Sequence, residues 1–318
     1  MAEVLEEVER WLRTRSWAAA DRPLERLLAA KAARGTTVSV VLPALDEEAT
    51  VGAIVAAIRR DLMGPRTPLV DELVVIDSGS TDGTARAAAD AGARVVHRDD
   101  VLPRLPAVPG KGEVLWRSLL VTGGDVVCFV DADLRDFDAS FVSGIVGPLL
   151  TEPDVQFVKA TYDRPLDGAA GQGGRVTELM ARPLLNLHWP LLAGFVQPLG
   201  GEYAVRRSLL ERLPFPVGYG VEIGLLIDSL HTVGLDALAQ VDVGVRVHRH
   251  QDGQALGRMA AAIYRTAQLR LSRGHLIRPS LTQFERADGA FVPRTHPVDA
   301  EERPPMREIA EYEARHAA

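Results

Sequence analysis

Short runs of β-branched and aliphatic residues alternate with helical segments through the first half of the chain, and this alternation constrains the fold more than any other feature. The predicted strands are Thr37–Pro43, Glu72–Asp77, Ala93–His97, Asp125–Val130 and Val155–Ala160. The predicted helices between them begin near Glu47, at Thr84 and at Lys111. Strands alternating with helices form βαβ units with right-handed crossovers. The sequence therefore predicts an α/β fold with a mainly parallel central sheet flanked by helices.

The pattern changes on both sides of residues 35–165. Residues 1–34 predict peripheral helices, because apolar residues such as Val8 and Trp11 recur there at helical spacing. After residue 165 a glycine-rich stretch leads into further predicted elements, which are helices over Arg175–Leu192, Gly218–Val233 and Met259–Leu271 and one or two strands within Ala237–Val247. Many charges and prolines with little periodicity predict a loosely packed arm or oligomer contact from Arg278 onward. We therefore divide the chain into segments 1–34, 35–165, 166–275 and 276–318.

Charge and cysteine content exclude several classes of protein. Asp plus Glu number 43 against 36 Lys plus Arg, which gives a formal net charge of −7 and argues against non-specific nucleic-acid binding. The single cysteine, Cys128, excludes an intramolecular disulfide framework and a cysteine-built zinc site. The acidic N-terminus lacks the pattern of a signal peptide, and no run of about 18 apolar residues occurs. We therefore expect a cytoplasmic protein that does not enter a membrane.

Two carboxylates follow the fourth predicted strand directly, in the sequence Asp131-Ala132-Asp133. Ligands of parallel α/β sheets bind at the carboxyl ends of strands, where such a pair can address a divalent cation and a nucleotide sugar together. The alternative is a turn that caps a helix, since aspartate is common in both roles. The motif by itself leaves both interpretations open.

Polar residues also follow the first two predicted strands. They are Pro43–Glu48 (PALDEE) and Asp77–Asp82 (DSGSTD), on the same edge of the predicted sheet as Asp131. Turn formation and helix capping again offer an alternative explanation. Three acidic or hydroxyl-bearing strand ends at one edge nevertheless favour a ligand site.

The order VVLPALDEE, VIDSGSTDGT and DAD resembles that of nucleotide-sugar transferases with the GT-A fold. Later motifs resemble a narrower group, the retaining family of glucosyl-3-phosphoglycerate and mannosyl-3-phosphoglycerate synthases. These motifs are PGKGEVLWRS (Pro109–Ser118), GGRVTEL (Gly173–Leu179), GYGVEIGLLID (Gly218–Asp228) and AQVDVGVRVHR (Ala239–Arg249). The resemblance covers residues of about 37 to 275 and implies a GT-A-like fold. It assigns donor binding to 35–165 and acceptor binding to 166–275.

The resemblance implies a donor site at the first strand end. Pro43, Ala44, Leu45, Asp46 and Glu47 would frame the base and ribose, beside Ser78, and Asp131 and Ala132 would contact the nucleoside. Lys111 would reach the same site, with glycines on both sides that let the backbone approach a ligand closely. Tyr219 and Glu222 would lie beside the sugar, although Glu222 is also an ordinary helix-start residue.

The resemblance implies a divalent cation, Mn²⁺ or Mg²⁺, held by Asp133 and His248. A carboxylate with an imidazole suits Mn²⁺ better than Mg²⁺. Histidines are more often surface or core residues than ligands, so only the family pattern singles out His248.

The acceptor implied by the resemblance is 3-phosphoglycerate, which carries a phosphate and a carboxylate. Gly174, Arg175, Val176 and Thr177 would bind it, because backbone amides, a helix N-terminus and an arginine all favour anions. An ordinary glycine-rich linker is the alternative. His250 would also contact the acceptor, but the family often has asparagine at that position.

We expect a metal-dependent hexosyltransferase that moves glucose from a nucleotide diphosphate sugar, UDP-glucose first, to the 2-hydroxyl of 3-phosphoglycerate with retention. Its catalytic residues would be Asp133, Lys111, Arg175 and Glu222, and the resemblance suggests a homodimer. The alternatives are mannose transfer from GDP-mannose, a polyprenyl-phosphate glycosyltransferase and a non-catalytic sugar-nucleotide sensor. A dinucleotide oxidoreductase is excluded, because Pro43 and Leu45 stand where its turn needs glycine.

Overall fold

Eight strands form one central sheet in the order β1-β9-β6-β7-β5-β2-β3-β4. The computed structural model describes residues 5–163, 174–246, 253–271, 280–287, 290–297 and 301–316, with only the backbone described for 280–287, 290–297 and residue 316. The strands are β1 Ser16–Ala18, β2 Val38–Ala44, β3 Glu72–Asp77, β4 Arg94–His97, β5 Val126–Phe129, β6 Phe157–Asp163, β7 Tyr203–Arg206, β8 Phe215–Pro216, β9 Leu238–Val245, β10 Ser280–Ala287, β11 Ala290–Pro297 and β12 Glu302–Arg303. The helices are α1 Glu6–Arg15, α2 Leu24–Arg34, α3 Val51–Leu62, α4 Thr84–Asp90, α5 Lys111–Val121, α6 Ser140–Thr151, α7 Arg182–His188, α8 Arg207–Leu210, α9 Val221–Val233, α10 Gly253–Leu271 and α11 Ala310–His316.

The sheet is mainly parallel, which confirms the predicted α/β architecture. Within it only β7 runs antiparallel, between β5 and β6. Strand β7 was not predicted, because it is short and lies beyond residue 165, where the alternation of strands and helices ends. The sheet takes strands from 1–34, from 35–165 and from 166–275 alike.

Alternate residues of the central strands bury two separate cores, one on each face of the sheet. Val41 and Phe129 belong to one cluster, whereas Val40 and Cys128 belong to the other, and all four are fully buried. Successive strand side chains point to opposite faces, so a strand covered on both faces reads as a continuous apolar run. Helices on both faces complete three layers and leave the strand ends as the open edge.

The N-terminal segment forms the predicted helices, which are largely exposed, but it also contributes side chains to the core and a strand to the sheet. Trp11 on α1 is fully buried, and its indole N–H donates to the carbonyl of Leu238 at 2.7 Å. The following strand β1 then pairs with β9 and extends the sheet. A three-residue edge strand depends on its partner and has no signature of its own.

Two helical predictions are corrected by the structure. The helix predicted over Arg175–Leu192 is interrupted: a π turn at Thr177–Ala181 precedes α7, and a 3₁₀ turn at Pro190–Leu192 follows it. Proline lacks an N–H and disfavours helical geometry in the residue before it, which ends α7 at His188. Helix α6 was not predicted. Gly144, Gly147 and Pro148 are residues that disfavour helices, and the helix has almost no polar face that would give it a helical period.

The C-terminal segment is also more ordered than predicted. Strands β10 and β11 pair as a hairpin that aligns Ala287 with Ala290. The Asp-Gly pair at 288–289 in the sequence is a hairpin signal that the analysis overlooked. Beyond it, Met306 and Tyr312 are buried against the core, so this end is anchored.

Across the described ranges, no helix is both long and apolar enough to cross a bilayer.

Candidate active site

A cavity of about 890 Å³ opens at the carboxyl edge of β2, β3 and β5. It brings together most of the residues predicted from the sequence. These are Pro43, Ala44, Leu45, Glu47, Ser78, Lys111, Asp131, Ala132, Asp133, Gly174, Arg175, Val176, Thr177, Tyr219 and Glu222. Since the carboxyl ends of parallel strands share one edge, strand-end residues far apart in sequence meet there.

Three predicted site residues are placed differently or fall outside the described ranges. Asp46 does not line the cavity, and its carboxylate instead accepts a hydrogen bond from the Thr81 amide at 2.7 Å. Asp46 has a positive φ of 55°, a conformation that aspartate tolerates better than most residues. His248 and His250 lie outside the described residues, so their roles remain predictions.

The loop after β3 holds the loop after β2 in place. The Glu47 amide donates to Thr84 Oγ1 at 2.7 Å, and the Gly83 amide donates to Glu48 Oε2 at 3.0 Å. Within the second strand-end motif, Asp77 accepts from the Ser80 amide at 3.1 Å and Asp82 accepts from the Thr84 amide at 3.0 Å, which is the turn-forming role of its alternative interpretation. Of its residues Asp77 to Asp82, Ser78 is the one that lines the cavity.

Lys111 lies between two carboxylates at the centre of the cavity. Its ammonium contacts Asp131 Oδ1 and lies 2.8 Å from Glu222 Oε1. Burial disfavours the charged amine, but the two carboxylates outweigh that penalty and raise the pKa of Lys111 well above its ordinary value. Lys111 is therefore a fixed positive charge, suited to electrostatic stabilisation and not to proton transfer.

Arg246 is the main residue of this network that the sequence analysis left without a role. Its Nη2 lies 2.7 Å from Asp131 Oδ2 and 3.4 Å from Asp133 Oδ1, and its Nε donates to Glu202 Oε1 at 3.0 Å. Burial lowers the pKa of Arg246, but the surrounding acids more than reverse this effect. Arg246 lies two residues before His248, and in an extended segment two such residues share one face. This spacing is the sequence signal that could have identified Arg246.

Asp133 fits the role of a cation ligand. Burial raises the pKa of Asp133, and the nearby Asp131 carboxylate raises it further. A divalent cation would relieve this repulsion, since hard cations prefer carboxylate oxygens. Within the described ranges, no group of three or more His, Cys, Asp or Glu residues is arranged to hold a metal. Asp133 would therefore need ligands from the predicted His248, from bound nucleotide or from water.

The glycines around Lys111 pack against protein backbone. A Cβ at Gly110 would lie 2.2 Å from the Val217 carbonyl oxygen, and one at Gly112 would lie 1.8 Å from that of Pro216. The sequence analysis expected these glycines to allow a ligand to approach. In the structure, Gly110 and Gly112 allow the start of α5 to pack closely against the backbone of residues 216–217.

Gly201 allows Asp131 to occupy its position, because a Cβ there would lie 2.2 Å from Asp131 Oδ2. We expect Gly201→Ala to displace this carboxylate and to lower kcat by about 100-fold, since small misplacements in an active site have effects of this size. Steady-state turnover of the variant measures the loss. Gly123→Ala is the control, because a Cβ there would lie 3.9 Å from Arg315 Nη2, which is an ordinary contact distance. Equal activity of the Gly201 variant and wild type would contradict the expectation.

Lys159 is fully buried beneath this network. Its ammonium donates to the Gly200 carbonyl at 2.8 Å and lies 4.7 Å from the centre of the Tyr203 ring. Burial lowers the pKa of Lys159 to about 8. The segment Leu199–Gly201, which carries two cavity-lining residues, is thus tied to β6.

The lowered pKa of Lys159 predicts a pH dependence of stability. Between pH 8 and 10.5 the unfolded chain binds the proton that the folded chain has released, so this group makes the protein more stable as pH rises. Relative to Lys159→Met, the wild-type free energy of unfolding should increase by about 3 kcal/mol across that window. Urea unfolding of both proteins at each end of the window measures the difference. A difference that does not change with pH would contradict the predicted shift.

The cavity also contains cations that were only partly predicted from the sequence. Arg175 was predicted there, and the structure adds Arg258 from α10 to the same cavity. Thr177 is buried, at the start of the π turn. Arg98 is a further lining residue that was not predicted from the sequence. An arginine-bearing wall beside a helix start is suited to a ligand with phosphate and carboxylate groups.

Comparison with known proteins places this geometry in a family. Residues 39–176 match the family described as Glycosyl transferase family 2. Glucosyl-3-phosphoglycerate synthase from Mycolicibacterium smegmatis is 52% identical over 303 residues, which cover 93% of this chain and 97% of the relative.

Two solved structures share the fold. The Mycobacterium tuberculosis glucosyl-3-phosphoglycerate synthase in complex with Mn²⁺, UDP and phosphoglyceric acid has a TM-score of 0.82 and 49% identity, over 90% of this chain and 95% of that one. Mannosyl-3-phosphoglycerate synthase from Rubrobacter xylanophilus has a TM-score of 0.88 and 40% identity, over 95% and 99% of the two chains. With half its residues identical across nearly the full length of both chains, this chain belongs to the glucosyl-3-phosphoglycerate and mannosyl-3-phosphoglycerate synthase family of glycosyltransferases.

Proposed function

We propose that this protein transfers glucose from UDP-glucose to the 2-hydroxyl of 3-phosphoglycerate, with retention at the anomeric carbon. The observation that carries the proposal is one cavity in which Lys111, Asp131 and Glu222 meet an arginine-bearing helix start at Gly174–Thr177. The first group suits a sugar diphosphate and the second suits a phosphorylated acid. Relatives about 50% identical to this chain carry the same activity in their names.

The donor would lie along the edge formed by β2, β3 and β5. Residues 43–47, braced by the loop after β3, offer an apolar wall and backbone polar groups to the base and ribose. Glu222 would accept hydrogen bonds from sugar hydroxyls, and Lys111 would stabilise the negative charge that develops on the diphosphate. A divalent cation, Mn²⁺ or Mg²⁺, would be held by Asp133 and the predicted His248, and it supplies Lewis-acid neutralisation of the leaving diphosphate.

The acceptor would bind with its anionic groups on Arg175 and the amides that follow Gly174. Thr177 adds a hydroxyl to the same wall. Holding both substrates in one cavity brings the acceptor hydroxyl toward the sugar, which is a large part of catalysis in such transfers. The acceptor hydroxyl oxygen would bond to the anomeric carbon on the same face from which the diphosphate leaves. The diphosphate oxygen released from that carbon would take the hydroxyl proton.

Turnover with separate donors tests the proposal. The protein is incubated with 3-phosphoglycerate and Mn²⁺ and with UDP-glucose, GDP-glucose or GDP-mannose in separate reactions. We expect UDP release that requires 3-phosphoglycerate and fails with unphosphorylated glycerate, because Arg175 then lacks its phosphate partner. The coupling constant of the anomeric proton in the product reports retention or inversion.

Mannose transfer is the second candidate, favoured by the higher TM-score of the mannosyl-3-phosphoglycerate synthase structure. Faster release of GDP from GDP-mannose than of UDP from UDP-glucose would establish it. Nucleotide binding without turnover of any donor would instead support a sugar-nucleotide sensor.

A homodimer in the cytoplasm is also part of the proposal. Helix α10 exposes Tyr264, Leu269 and Leu271, and Leu179 is 79% exposed, which is typical of surfaces that bind a partner. The two proposed substrates are charged metabolites that a cytoplasmic enzyme would meet directly. Light scattering after size exclusion measures the mass, and a monomer at high concentration would contradict the dimer.

A further inference from the structure

Residues 301–303, here called the clasp, contact three different walls of the cavity from a point more than 30 residues beyond the last residue that lines it. None of the three is a cavity-lining residue. The sequence analysis placed them in an irregular tail. Arg303 is buried and Glu302 is partly buried, and both form ion pairs with the helices around the cavity.

The first contact reaches the helix that begins with Lys111. Arg303 Nε lies 2.7 Å from Glu113 Oε2, and its Nη2 lies 2.9 Å from Glu113 Oε1. Glu113 is fully buried, two residues after Lys111, and it also accepts from Arg117 Nε at 2.8 Å. The bidentate pair therefore fixes the first turn of α5, and with it the base of the Lys111 side chain.

The second contact holds the segment that leads to Tyr219 and Glu222. Strand β12 pairs with β8, and the Val217 amide donates to the Glu301 carbonyl at 3.0 Å. The Val217 carbonyl in turn accepts from the Glu113 amide at 3.1 Å. Strand β8 has only two residues, and its position therefore depends on the pairing with β12.

The third contact reaches α10, whose residues Met259 and Ile263 line the cavity. Arg270 on this helix lies 2.8 Å from Glu302 Oε1, and its Nε donates to Asp228 Oδ1 on α9 at 2.9 Å. Glu302 thereby joins the ends of α9 and α10 to the clasp. Helices α5, α9 and α10 are thus tied to one another through three consecutive residues.

We propose that the clasp positions Lys111 and Glu222 against the sugar diphosphate, with Arg303 as the positioning residue. This role rests on the proposed function, since it assigns the clasp to the donor half of the cavity. Arg303 itself bonds Glu113, two residues after Lys111, and the Pro106 carbonyl at 2.9 Å, whereas the clasp reaches α10 through Glu302. Loss of Arg303 should therefore weaken donor binding while leaving acceptor binding unchanged.

Arg303→Met and Arg303→Lys test the proposal in the full-length protein, with Tyr312→Phe as the matched control. Tyr312 is equally buried on the same C-terminal segment, but its hydroxyl contacts Glu211 and Arg207, away from the cavity. We expect Arg303→Met to raise the KM for UDP-glucose about tenfold and to leave the KM for 3-phosphoglycerate unchanged. Arg303→Lys should give an intermediate increase, because lysine keeps the charge but not the bidentate geometry. A variant that merely lost stability would lower the active fraction and leave both KM values unchanged.

Hydrogen–deuterium exchange gives a second measurement that does not depend on turnover. We expect faster exchange at the amides of Glu113 and Val217 in both Arg303 variants, and no change there in Tyr312→Phe. Unchanged KM values with unchanged exchange, or equal effects in Tyr312→Phe, would overturn the proposal. If Arg303→Met does not fold, the KM values and exchange rates of Arg303→Lys test the proposal instead. If the wild-type protein turns over no donor, the proposed function fails. The role of the clasp is then tested by the affinity of each variant for UDP and by its exchange rates.

Discussion

Asp133→Asn is expected to lower 3-phosphoglycerate-dependent turnover by about a thousandfold. The substitution preserves the size of the side chain but removes the charge that fits a divalent cation at the cavity. Metal-assisted neutralisation of a leaving diphosphate is worth several kcal/mol, and each 1.36 kcal/mol corresponds to about tenfold in rate. Initial rates of UDP release at saturating Mn²⁺ measure the loss. Calorimetry should also show that Mn²⁺ no longer strengthens UDP binding.

Asp136→Asn is the matched control for this prediction. Asp136 lies in the same loop, is exposed and has a φ of 53°, which asparagine also tolerates. The charge change is identical, so a general electrostatic effect would appear in both variants. We expect Asp136→Asn to retain activity within about twofold. Full activity in Asp133→Asn would rule out a metal role for this carboxylate.

Lys111→Met is expected to lower kcat/KM for the donor by about 10²–10³-fold, the usual effect of removing one preorganised electrostatic group. Without the ammonium, Glu222 loses the partner that lies 2.8 Å away, and Asp131 loses one of its cationic partners. The variant should therefore stabilise the diphosphate less well and hold the carboxylates of Asp131 and Glu222 less firmly in place. Donor titrations at saturating 3-phosphoglycerate measure kcat and KM separately.

Lys31→Met separates this effect from the loss of any partly buried lysine. Lys31 lies 2.7 Å from Asp71 Oδ1 and donates to the Pro68 carbonyl, away from the cavity. We expect a lower Tm and unchanged kinetic constants. Equal kinetic losses in the two variants would mean that Lys111 acts only through stability.

The sequence was sufficient to predict the strands whose pattern is local. Strand β2 is buried on both faces and therefore reads as a continuous apolar run, and the polar residues after it mark the carboxyl edge. Strand β7 and helix α6 were not predicted for different reasons. The strand is short and lies beyond the alternation of strands and helices, and the helix is buried on nearly every side.

The candidate site was predictable wherever its residues follow strands or carry family motifs. Lys111, Asp131, Asp133 and Glu222 fall in such motifs, and all four line the cavity. The partners that fix their charges were harder to find. Arg246 falls in a family motif, but its partner Asp131 lies 115 residues earlier in the chain, so the motif does not reveal the pairing. Lys159 lies in the interior of β6 with no pattern that distinguishes it from a core residue.

The sequence alone determined the α/β alternation, the parallel sheet and the edge at which ligands bind, because hydrophobic period and strand ends are local properties of the chain. Tertiary structure decided which charges neutralise one another and which distant segments hold the walls of the cavity. The Asp46 carboxylate bonds the Thr81 amide and does not line the cavity. Arg246 pairs with Asp131 and Asp133, and residues 301–303 connect three helices. Such contacts depend on distance in space and on burial, and neither is encoded in the local spacing of residues.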